Sequence, residues 1–172
     1  PGKLNFSSAG IGSGTHFNLE KLKLAAGIDV VHVPYKGTPE AIGDTIANRV
    51  CCYWAPLNAA LPHVNGGKAT ALAISSAQRS PLLPNVPSVA EQGYAGFDYT
   101  LWVGLWGPAK MPQDIAAKIN KDVNTALASP DLKERLAKLG TVPGSLTIPQ
   151  FTDFVKKEIE ETKKILDAAG IK

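Results

Sequence analysis

The chain has 172 residues, 44% of them hydrophobic and 19% charged, with a formal net charge of +3 at neutral pH. That size and apolar content support one packed domain, or one and a fraction, without disulfides or metals, and exclude a disordered chain. The basic residues are scattered, with no run longer than Lys156-Lys157 or Lys163-Lys164, which argues against a nucleic-acid partner, and no stretch approaches the ~20 apolar residues of a membrane span.

Strand and helix signals alternate along the first half. "KLNFSSA" reads as a strand, and "THFNLEKLKLAAG" as a helix with Phe17, Leu19, Leu22 and Leu24-Ala25 on its apolar face and Gly27 as its stop. "DVVHVPY" is a short strand closed by Pro34. "TPEAIGDTIAN" starts a helix with Thr38 as N-cap and Pro39 at the first helical position. "RVCCYWA" is the next strand, "LNAALPHVNGG" a short helix and "KATALAIS" another strand. This alternation predicts an α/β fold, a doubly wound parallel sheet with flanking helices.

"SAQRSPLLPNVPSVAEQGYAGF" carries Pro81, Pro84 and Pro87 and reads as an extended connection with one helical turn at Ser88–Gln92. "DYTLWVGLWGPA" reads as a long strand rich in β-formers. After Pro112 the pattern is helical: "PQDIAAKINKDVNTALAS", then "SPDLKERLAKLG" with Ser129 as cap and Gly140 as stop, then "TIPQFTDFVKKEIEETKKILDAAG". Trp54, Trp102 and Trp106 read as core or interface residues. The opening "PGKLNF" has neither the charged nor the apolar part of a signal peptide, and the chain enters a strand directly, as a segment of a longer protein does.

Cys51 and Cys52 are adjacent. Neighbours in a strand face opposite ways, which disfavours an unstrained disulfide. With no CxxC and no clustered His, a metal site is also disfavoured. They read as two buried thiols acting as small hydrophobes. No cofactor motif appears.

Ligands of doubly wound sheets bind at the carboxyl ends of the strands. Three loops lie there: "SSAGIGSGTHF", "PYKGTPE" and "WAPLNA", each followed by a helix start. Helix N-termini present unpaired N–H groups and partial positive charge, so an anion is the natural guest. In the first loop Gly12 and Gly14 allow close backbone approach, and Ser13 and Thr15 supply hydroxyls and a cap. A plain strand-to-helix turn explains the same residues. Lys36 supplies charge to a ligand or is a surface lysine, and Tyr35 hydrogen-bonds a ligand or walls the cleft. His16 paired with Ser13 suggests a hydrolase, but no nucleophile-elbow motif accompanies them. His32 and His63 read as structural.

Taken in order, "SSAGIGSGTHF", "VHVPYKGTPEAI", "LNAALPHVNGGKATALAISSAQRSPLLPNVPSVAEQGYAGF" and "WVGLWGPAKMP" resemble the Bug-type solute-binding proteins of tripartite tricarboxylate transporters, over essentially the whole chain. The resemblance implies a periplasmic, non-enzymatic protein with a type II periplasmic binding fold. Such a protein takes a small organic acid for membrane transporter subunits. Its carboxylate loop corresponds to Ser8–His16, namely Ser8, Ala9, Gly12, Ser13, Gly14, Thr15 and His16. Tyr35, Lys36 and Gly37, with Ala55 after the third strand, line the same site.

Family members are longer, with a leader and most of a first lobe. Residues 1–100 here match the second ligand-binding lobe, and residues 101–172 the crossover strand and the C-terminal helices that return toward the first. The third strand of the family reads "VDVMFD"; here it is "VCCYWA", with Cys51 and Ala55 in place of the two acids. Losing them favours a purely anionic or partly apolar ligand, with Trp54 as an apolar wall. A ligand-sensing domain of a regulator is the remaining alternative on the same fold.

Overall fold

The structure, a computed structural model, describes residues 2–171. Residues 1 and 172, which bound the two expected regions, lie outside the described residues. The chain forms two compact units, one comprising the chain through Leu101 and the segment from Thr162 on, the other Trp102–Glu161.

The first unit holds a parallel sheet of β1 (Asn5–Ser8), β2 (Val31–Pro34) and β3 (Cys52–Tyr53), in the order β2-β1-β3. Asn5 pairs with Val31 and Ser8 with Pro34, while Phe6 faces Cys52 and Ser7 faces Tyr53. Between the strands run α1 (Gly14–Ala26) and α2 (Thr38–Ile46), and α3 (Leu57–Asn65) follows β3. The expected order of strands and helices is present up to this point. Successive strand residues project to opposite faces. Accordingly Ser7 Oγ meets Thr45 Oγ1 of α2 at 3.1 Å, whereas Ser8 Oγ meets His32 Nε2 at 2.6 Å.

Helix limits follow local chemistry. Ser13 caps α1 by accepting from His16 N–H, and Gly27, at φ 61°, closes it in the left-handed conformation. In α2 the cap is Gly37, and Thr38 and Pro39 are the first helical residues. Thr38 is not the N-cap because its hydroxyl is engaged by Tyr53 OH at 2.9 Å.

The expected apolar face of α1 is corrected. Thr15, His16, Asn18, Leu19 and Glu20 are the buried residues, while Leu24 is 45% exposed. This helix covers a polar layer, and its burial therefore does not follow hydrophobicity. Leu19, Val30, Ala41, Val50, Val89 and Phe97 form the buried apolar core.

Two expected strands are absent from the described residues. "KATALAIS" contributes only an isolated parallel bridge, Ile74 to Ser88. "DYTLWVGLWGPA" is extended without a ladder, joined to the unit by Tyr99 N–H donating to Ser75 O at 2.8 Å and Ser75 Oγ donating to Tyr99 O. β-forming residues make a strand only where a neighbouring backbone supplies the ladder. The connection between them does contain the expected helical turn, at Ala90–Gln92. Arg79 clasps it, donating through Nε to both carboxylate oxygens of Glu91 and through Nη1 to Pro84 O.

The cysteines also depart from expectation. Cys51 sits in a bend before β3 and is exposed, and Cys52 is half-buried. Because the bend breaks the strand alternation, the two sulfurs lie 3.6 Å apart, both as free thiols.

In the second unit α4 (Gln113–Ala128) and α5 (Pro130–Lys138) pack together, and α6 (Ile148–Ala169) begins. Ser129 precedes Pro130 as expected, but its hydroxyl bonds back to Ala126 O at 2.7 Å and does not cap α5. Trp102 and Trp106 pack with Phe151 and Phe154, and Trp102 Nε1 donates to Glu158. Yet Trp106 remains 63% exposed, so these tryptophans are not core residues. Among the described residues no helix is long and apolar enough to cross a membrane.

Candidate functional site

The carboxyl ends of β1, β2 and β3 bring three turns together. The first, Ala9–Ser13, leads into α1 and is built almost wholly from its own polar groups. Ser8 Oγ accepts from Gly10 N–H at 3.1 Å. Thr15 Oγ1 accepts from Ala9 N–H at 2.9 Å, and Ser13 Oγ donates to Gly10 O at 2.7 Å. His16 Nδ1 accepts from Gly12 N–H at 3.3 Å, and Ser13 N–H reaches Gly10 O at 3.1 Å. Gly10, at φ 130°, is required twice over: an L side chain is disfavoured there, and its Cβ would stand 3.1 Å from Tyr35 O of the second turn.

This corrects one expectation. The amides of Ala9, Gly10, Gly12 and Ser13 are not open to a guest, since the turn itself uses them. The N–H groups of Gly14 and Thr15, the first two residues of α1, make no backbone hydrogen bond among the described residues. They are the orphan donors of the helix terminus. Leu101 and Tyr99 lie against Gly14 on the side where a Cβ would project, which is why glycine stands there.

The imidazoles lie beneath the turn. His16 and His32 stack with centroids 4.1 Å apart and planes 12° from parallel. His16 Nε2 is 3.7 Å from Glu20 Oε1, and Glu20 pairs with Lys23 at 2.9 Å. Burial holds both imidazoles below the ordinary histidine range. Glu20 opposes that shift in each, and Lys23 reinforces it; at His32 the His16 charge lowers it further. As neutral rings they accept hydrogen bonds, which is the role His16 plays toward Gly12. Ser13 and His16 make no nucleophile–base bond: the serine hydroxyl is turned to Gly10 O and Thr15 Oγ1.

The second turn contributes less than its residues suggested. Tyr35 gives its hydroxyl to Asp44 Oδ2 at 2.8 Å, and Arg49 bonds the other oxygen at 2.8 Å. The tyrosine side chain is thus committed to α2, and its backbone faces the first turn, the N–H donating to Ser8 O at 3.0 Å and the carbonyl lying against Gly10. Lys36 is exposed. At Gly37, Glu40 brings a carboxylate to the mouth of α2, and Pro39 has no N–H. Both oppose an anion at that helix.

After β3, Ala55 is half-buried and opens no acid into the region. Its neighbour Trp54 has a buried Nε1 without a partner among the described residues. Tyr53 was not foreseen. Its hydroxyl bonds to Thr38 Oγ1 at the start of α2, and burial raises its pKa. No sequence motif marks it, because its partner comes from another loop. A shallow depression of about 400 Å³ beside Lys21, Ala25, Tyr94 and Phe97 is separate from these turns. Among the described residues no group of three or more His, Cys, Asp or Glu side chains is placed to hold a metal.

The family of tripartite tricarboxylate transporter receptors matches residues 1–171. The chain belongs to that family. A UPF0065 protein of the tcbD-tcbE intergenic region of Pseudomonas sp. (strain P51) is 33% identical over 167 residues, 96% of this chain and 50% of the relative. The chain thus spans about half the length of most of the curated relatives it matches. An R. palustris protein solved with adipate has a TM-score of 0.92 at 29% identity, over 99% of this chain and 57% of its own. MatC from Rhodopseudomonas palustris, with bound malate, gives 0.86 at 30% identity over 96% and 57%. The periplasmic binding protein BugD gives 0.86 at 28% identity over 99% and 58%. The chain therefore has the expected fold, α/β with a parallel sheet, of the periplasmic binding protein type.

Proposed function

We propose that this chain is the ligand-seating part of a periplasmic receptor that captures a small organic carboxylate and delivers it to the membrane subunits of a tripartite tricarboxylate transporter, without catalysis. The observation that carries the reading is the pair of orphan amides, Gly14 and Thr15, at the mouth of α1. They belong to a turn whose Ala9, Gly10, Gly12 and Ser13 amides are already paired, so a carboxylate at Gly14 and Thr15 adds bonds without breaking those. Support comes from two neighbours of the same fold whose structures contain adipate and malate. Ser8, Ala9, Gly12, Ser13 and His16 shape this seat, and Tyr35, Lys36, Gly37 and Ala55 border it. With no acid at Ala55, the site suits a diacid better than an amino acid. Trp54 supplies an apolar wall and an unengaged indole N–H. Residues up to about 100 form one lobe, and those beyond belong to the return toward the other.

The reading is tested by calorimetric titration of the intact protein with adipate and malate. Saturable 1:1 binding with the ligand recovered unchanged is expected, and chemical conversion would overturn it. Combining Ser13→Ala with Thr15→Val weakens binding by roughly 1–3 kcal/mol, the scale of lost hydrogen bonds around a charged group. Unchanged affinity would remove the two hydroxyls from the seat.

A further inference from the structure

The bend at Cys51 places two free thiols side by side, and nothing in the carboxylate site uses them. Their backbone is held on both flanks. Cys51 N–H donates to Asn5 Oδ1 at 2.7 Å, and Cys52 O accepts from Ser7 Oγ at 3.4 Å. Val50, buried, donates through its N–H to Asp44 O at 3.4 Å, and Cys52 lies in the ladder opposite Phe6. The backbone that carries the two sulfurs, which lie 3.6 Å apart, is therefore fixed before any ligand arrives, and Cys51 is open to solvent. The pair sits at the amino end of β3. Because β3 runs parallel to β1, it lies at the opposite end of the sheet from the glycine turn.

We propose that Cys51 and Cys52 form a vicinal dithiol site for a trivalent arsenical. In the reaction an oxo-arsenical R–As=O gives up its oxygen. The two S–H bonds break, two As–S bonds form, and the oxygen leaves with both thiol protons as one water. Arsenic stays trivalent, so no oxidant or reductant is needed. Burial, and then the neighbouring thiol, push Cys52 up to about 12, so little of that thiol is present as reactive thiolate, whereas the condensation starts from neutral thiols. Two sulfurs on one fixed segment bind as a chelate, the second bond forming at high effective concentration.

The test uses phenylarsine oxide and intact-mass measurement on the reduced protein. The wild type is expected to carry one arsenical per chain that survives excess 2-mercaptoethanol and is removed by 2,3-dimercaptopropanol. Cys51→Ser and Cys52→Ala should each lower resistance to the monothiol by roughly 10²-fold or more. Retention by either variant at the wild-type level, or loss from the wild type at the same monothiol concentration as from the variants, would overturn the proposal. If Cys52→Ala does not fold, Cys51→Ser at the exposed position decides the question alone. Carboxylate titration is read separately, so the two proposals fail independently.

Discussion

His16 and His32 are each held by a neighbour that wants a neutral ring. Gly12 N–H points at His16 Nδ1, and the second imidazole lies stacked beneath it. Burial lowers both pKa values in the folded chain, whereas the unfolded chain takes up protons near 6.5. Below 6.5 the unfolded state consequently binds more protons, and stability falls as the pH is lowered. Glu20 works against this and Lys23 with it, but neither reverses the direction. The expected outcome is a thermal midpoint that is flat above pH 6.5 and drops below it, with the drop reduced in His16→Asn. A midpoint insensitive to pH between 7 and about 5 would show that these rings do not titrate with unfolding. The glycine turn itself was legible from sequence, because glycines and hydroxyls before a helix have few other uses. Its bonding was not: which amides remain open depends on where Ser8, Ser13, Thr15 and His16 send their side chains.

Among the elements, helices were read well because their signals are local: Gly27, Pro39 and Pro130 act within one turn. Strands were read less well. "KATALAIS" and "DYTLWVGLWGPA" have the composition of strands, but a ladder is a property of two segments, and among the described residues Ser75 and Tyr99 pair without forming one. Helix α1 was misread for another reason: its buried side carries Thr15, His16, Asn18 and Glu20 with Leu19 as the lone large apolar residue. The same dependence on distant partners hides the clasp of Arg79 on Glu91. Two guanidinium bonds and Ser88 N–H hold that carboxyl down to about 2, well below the usual range. The clasp closes the proline-rich connection, so Glu91→Gln is expected to speed limited proteolysis between residues 77 and 88, with the cleavage sites mapped by mass spectrometry. An unchanged digestion rate would mean the prolines alone hold the segment.

On the scale of the whole molecule, the conspicuous feature is apolar surface. Leu105 is 69% and Trp106 63% exposed, and Val103 between them and Leu101 is fully exposed. A run of this kind drives association when nothing covers it. The 172-residue chain by itself is expected to self-associate at micromolar concentration. Replacing Val103 and Leu105 together by Asp should shift it toward monomer in light scattering, and a wild-type chain that is already monomeric would contradict this.

A turn whose hydroxyls and imidazole are knitted together in advance has little left to freeze when a guest arrives. For the proposed diacid guests its contribution to affinity is then nearly the same, short or long. Selection among them falls to groups that touch the rest of the molecule's carbon skeleton, and swapping the turn between relatives should carry over tightness of grip while leaving taste unchanged.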